Sequence, residues 1–107
     1  MARVAAVFDD LLLGSNVLGM LRAAGHDAEL AGNPDMVDPA AFDVLVVDLG
    51  AGFDGLTLAG RGTKAIGVYS HVDVDTRREA EAAGFDLVVP RSRMAREGAD
   101  LVARLVA

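Results

Sequence analysis

Asp9 and Asp10 follow directly on the apolar run Arg3 to Phe8. Asp48 follows Val44-Leu45-Val46-Val47, and Ser70 and His71 follow Ala65 to Tyr69. Each polar group stands at the carboxyl end of a stretch that reads as a buried strand. Three carboxylates within ~5 Å would repel by ~3 kcal/mol per pair at an effective dielectric of 20. A divalent cation relieves that repulsion, and an all-oxygen ligand set suits Mg2+. The plainer reading gives Asp9 or Asp10 to the cap of the first helix and leaves Asp48 solvated at the start of a loop.

The elements that position these groups follow from apolar patterning. Val44 to Val47 is continuous rather than alternating, the pattern of a central strand covered on both faces. Leu11, Leu12, Val17, Leu18 and Leu21 recur at helical spacing, which predicts a helix from Leu11 or Ser15 to Ala24, with Gly25 closing it. Ala28 to Ala31 is a weak second strand. Asn33 to Ala41 carries two prolines, with Asp38-Pro39 as a possible cap and first turn, so the second helix there is short or irregular. Glycines at 50, 52, 55, 60 and 62 restrict the third helix to little more than Leu56 to Ala59. Ala65 to Tyr69 is a fourth strand. Asp75 is expected to cap a helix through Ala83, Gly84 to end it, Leu87 to Val89 to form strand five, and a last helix to follow Ser92 or Glu97.

Strands alternating with helices imply parallel crossovers in a three-layer α/β sandwich. The expected form is a doubly wound, flavodoxin-like sheet of five parallel strands in the order 2-1-3-4-5, with a shortened third helix. Ligands in such sheets bind outside the carboxyl ends of the strands, where the strand order reverses, here between strands one and three. That is where Asp9, Asp10 and Asp48 fall.

Composition narrows the classes. A chain of 107 residues, 52% hydrophobic, suits one domain spanning 1–107. A net charge of -6, with Lys64 as the only lysine among ten basic residues, argues against direct nucleic-acid or membrane-surface binding. The absence of cysteine and of any apolar run near ~18 residues makes the cytoplasm the expected location. No Ser-His-Asp order or Walker-type loop is present, so the expectation is a non-enzyme.

With these residues in place, the chain resembles the receiver domains of two-component response regulators, the CheY-like fold. Phe8-Asp9-Asp10 is similar to their acidic pair after strand one, Val46-Val47-Asp48 to the strand ending in the phosphate-accepting aspartate, and Ser70 to the hydroxyl that ends strand four. The resemblance implies that Asp9 and Asp10, with Asp48, hold Mg2+. It also implies that Asp48 accepts a phosphoryl group from a histidine kinase and that Ser70 contacts that group. His71 and Val89 would border the pocket. Receivers end strand five with a lysine-proline pair, whereas this chain has Val89-Pro90, so the phosphate-contacting cation would have to be Arg91 or Arg93, a fork rather than an ammonium. Two signalling readings emerge: a phosphorylated stand-alone receiver, and a pseudo-receiver that binds proteins without phosphorylation. In both, output passes through a downstream effector or a homodimer.

Gly50-Ala-Gly52-Phe-Asp-Gly55 also matches G-x-G-x-x-G, with Asp73 near the distance of a ribose-binding acid, which keeps a nucleotide-binding reading in view. Against it, only four residues separate Gly55 from Gly60, too few for the helix whose amino terminus faces a pyrophosphate. His71, Asp73 and Asp75 alternate as metal ligands can, although capping accounts for at least one of them.

Overall fold

The sheet runs in the order β2-β1-β3-β4-β5, all pairs parallel. Its strands are β1 (Arg3–Val7), β2 (Asp27–Ala31), β3 (Val44–Asp48), β4 (Lys64–Tyr69) and β5 (Leu87–Pro90). These come from a computed structural model that describes residues 1–70 and 74–107. The expectations placed on His71 and Asp73 lie outside the described residues. Every residue of β3 is buried, as its unbroken apolar run requires for a strand with neighbours on both edges and cover on both faces.

Period-2 alternation divides the core in two. Val4, Ala6, Val44, Val46, Ile66, Val68 and Val89 face α1 (Leu11–Ala23) and α3 (Arg91–Val106), meeting Val17, Leu21, Met94 and Leu101. Ala5, Val7, Leu45, Val47 and Ala65 face the other way, toward Leu58, Ala80 and Phe85. Among the described residues, that second face has one α-helix, α2 (Val74–Ala83), and otherwise only 3-10 turns at Pro34–Met36, Pro39–Ala41 and Gly55–Leu58. The sandwich is therefore three-layered, with one outer layer thinned where prolines and glycines replace helix formers.

Glycine supplies what this thinning needs. Gly55 lies so close to β3 that a Cβ there would stand 2.7 Å from Val47 Cγ1. Gly25 and Gly84 close α1 and α2 with φ of 90° and 108°, the left-handed conformation expected after each helix.

Several boundaries differ from expectation. α2 begins at Val74, so Asp75 lies inside its first turn and is not its cap. α3 begins at Arg91, directly after β5, rather than after Ser92 or Glu97. The consequence is functional, because the chain turns into a helix at the rim of the sheet and carries Arg91 with it. Among the described residues no helix is long and apolar enough to cross a membrane.

Candidate functional site

Asp48, the last residue of β3, is 1% exposed and the one buried charged side chain among the described residues. A carboxylate out of water is costly unless hydrogen-bonded or paired. Two groups answer that need. The backbone N–H of Gly50 donates to Asp48 Oδ1 at 3.0 Å, and Arg91 Nη2 lies 3.4 Å from both Oδ1 and Oδ2. At that length the arginine contact is mainly an ion pair, for charge-assisted N–H···O bonds cluster near 2.7–2.9 Å. Asp48 is thus not solvated at a loop start.

Topology makes the pair possible. Asp48, Val68 and Val89 are in register across β3, β4 and β5 on the face beneath α1 and α3. Val89 is 1% exposed and lies within the core, not on a pocket rim. The cation comes instead from two residues further on, where the first turn of α3 lets Arg91 reach back over the end of β4. Ser70 follows β4 directly, half-buried, at the same end of the sheet.

The remaining carboxylates point to other work. Asp10 caps α1, its Oδ1 accepting from the N–H groups of Leu12 and Leu13 at 3.0 and 3.1 Å. Exposed Asp9 accepts from the Gly52 N–H through Oδ2 at 2.8 Å, tying the end of β1 to the loop after β3. Among the described residues no group of three His, Asp or Glu side chains is spaced to hold a metal ion. The expected convergence of Asp9, Asp10 and Asp48 is not what the structure shows. One is a helix cap, one a loop tie, and the third is neutralised by a guanidinium. The donors are the oxygens Mg2+ takes, but as placed these three carboxylates do not form a site that fits it.

The glycine motif acquires a different meaning. Gly50 and Gly52 supply the N–H groups that bind Asp48 and Asp9, and a Cβ at either would crowd the tip of a neighbouring side chain. A Cβ at Gly50 would stand 3.1 Å from Arg91 Nη2, and one at Gly52 would stand 3.3 Å from Asp9 Oδ2. Beyond them the chain makes only the four-residue 3-10 turn Gly55–Leu58, so no helix N-terminus is present to receive a pyrophosphate. The spacing was visible in the sequence, but the role of these glycines as donors to the chain's own carboxylates was not.

By sequence, no protein-family model matches the chain and no curated protein matches it. By structure, the fold is that of response regulator receiver domains. The chain is similar to NtrX from Brucella abortus, solved in complex with ADP, at 20% identity and a TM-score of 0.84, over 98% of this chain. It spans only 27% of that protein's chain. A signal receiver domain from Bermanella marisrubri gives 19% identity, a TM-score of 0.84 and 98% coverage of both chains. The non-phosphorylated HemR receiver domain from Leptospira biflexa gives 20% identity and a TM-score of 0.82, over 100% of this chain and 95% of that one. The CheY-like, flavodoxin-like fold expected from the sequence is the fold observed.

Proposed function

We propose that this chain is a receiver-class signalling module that acts through protein contacts without a phosphoryl group on Asp48. The observation that carries the reading is the Arg91–Asp48 ion pair. A receiver's aspartate must be open to a phosphodonor and flanked by cations that the incoming group can use. Here the cation already lies against the carboxylate, the strand-five lysine position is a core valine, and Asp10 is engaged by its helix. On this reading the module is non-enzymatic, works in the cytoplasm, and holds one signalling conformation that an effector protein or a second copy recognises.

The competing reading is phosphorylation of Asp48 by a histidine kinase, with Asp9, Asp10 and Asp48 on Mg2+ and Ser70 and Arg91 on the phosphoryl oxygens. Burial of Asp48 at the carboxyl end of β3 favours it. It requires Arg91 to make way for a phosphoryl group on Asp48, and it leaves only Oδ2 of Asp10 for the metal while Oδ1 caps α1. Incubation with phosphoramidate and Mg2+, followed by intact mass measurement, decides between the two. Our reading expects no added phosphoryl mass. An adduct that forms on the native chain and is lost in Asp48→Asn would overturn it.

A further inference from the structure

A cavity of about 160 Å³ lies between α1 and α3 and has Arg91 in its lining. Its walls are Val17 and Met20 from α1, Val68 from β4 and Met94 from α3, and its polar groups include Asn16 and Arg91. We infer that this cavity is a binding site for a small monocarboxylate with a compact apolar body, its carboxylate on Arg91 and its hydrocarbon against the valine and methionine walls. The signalling proposal does not depend on it, nor it on that proposal.

Size and chemistry both select this class. A dry cavity of ~150 Å³ accommodates a benzene-sized body. Apolar walls with a few convergent polar groups are the usual make-up of a small-molecule pocket. Two methionines in the lining can adjust to a flat or a branched body. The head group is chosen by Arg91. Its contact with Asp48 uses Nη2 alone, and among the described residues Nε and Nη1 have no hydrogen-bond partner. Nη2 belongs to both bidentate edges of the fork, so its second N–H, paired with that of Nη1 or Nε, is the edge offered to a second carboxylate. Asn16, exposed at the opening, has no side-chain hydrogen bond among the described residues and can add a donor.

The test is a titration of the full chain with benzoate, monitored by amide chemical shifts, alongside the neutral isostere benzamide and the bodiless anion acetate. A ligand this small binding through one fork and one apolar wall should saturate in the range of ~0.1–1 mM. Shift changes should centre on Val17, Val68 and Met94, and benzamide and acetate should each bind at least about tenfold more weakly. Ala95→Phe places a ring at the opening from the exposed face of α3, and Asn16→Phe does so from α1. Each should abolish saturation while the amide spectrum stays folded. Arg91→Gln should reduce binding to the level of benzamide. Failure of benzoate to saturate, equal binding of benzamide, or undiminished binding in both folded phenylalanine variants would overturn the assignment.

Discussion

Arg91 Nη2 stands 3.4 Å from each carboxylate oxygen of Asp48, a residue 43 positions earlier in the chain. The carboxylate is buried while the arginine side chain is 43% exposed, so the two ends of the pair carry different energetic weight. Removing the arginine leaves a charge unpaired and out of water, whereas removing the aspartate releases an arginine to solvent.

That asymmetry predicts a specific double-mutant cycle. Arg91→Ala should cost roughly 1–2 kcal/mol, below the 3–5 of fully buried pairs because solvent already screens one partner. Asp48→Asn in the Arg91→Ala background should recover part of that loss, since a neutral amide needs no counter-charge. Urea unfolding of the four proteins measures it, and simple additivity would show that the pair carries no coupling.

The glycines of the loop should separate by what they face. Gly55→Ala directs a methyl at the branched side chain of Val47 within a packed layer, and should cost about 1–3 kcal/mol. Gly50→Ala crowds the flexible end of Arg91 and makes only ordinary contact with Asp48 Oδ1, so its loss should stay below about 1 kcal/mol. Its signature should instead be a shifted Arg91 side-chain resonance. Equal destabilisation by the two would contradict the packing described.

Asp10 should behave as a helix cap. Asp10→Ala is expected to lose about 0.5–2 kcal/mol, and Asp10→Ser or Asp10→Asn should recover most of it. Addition of Mg2+ should leave the melting temperature of the native chain unchanged. A Mg2+-dependent rise abolished by Asp10→Asn would instead identify Asp10 as a metal ligand.

His26 joins the start of β1 to α3, with Nδ1 taking the Ala2 N–H and Nε2 lying 3.2 Å from the Ala99 carbonyl oxygen. With Nδ1 accepting the Ala2 N–H, Nε2 is the nitrogen left to donate to the Ala99 carbonyl. His26→Ala should lower stability by about 1–3 kcal/mol by leaving both backbone groups without their partner, and His26→Gln should recover a part. Amide exchange at Ala2 should quicken in His26→Ala and report the loss locally.

Much of this protein is local, and local features were legible in the residues alone. The unbroken run Val44 to Val47 marked a strand covered on both faces. Glycines after Ala24 and Ala83 marked helix ends, and Asp48 fell at a strand end because the apolar run stops there. Alternation of strands and helices implied parallel crossovers, and the order 2-1-3-4-5 expected with them is the order observed. The meaning of the acidic residues was not local. Asp10 turns toward two amide groups of its own helix, one of the two readings its residue type and spacing left open. The neighbours of Asp48 were decided by packing: α3 starts at Arg91, and Gly50 carries no side chain to hold that arginine away. Strand periodicity is written into consecutive residues, but a contact across 43 positions exists only once the sheet has brought the ends of β3 and β5 to the same rim.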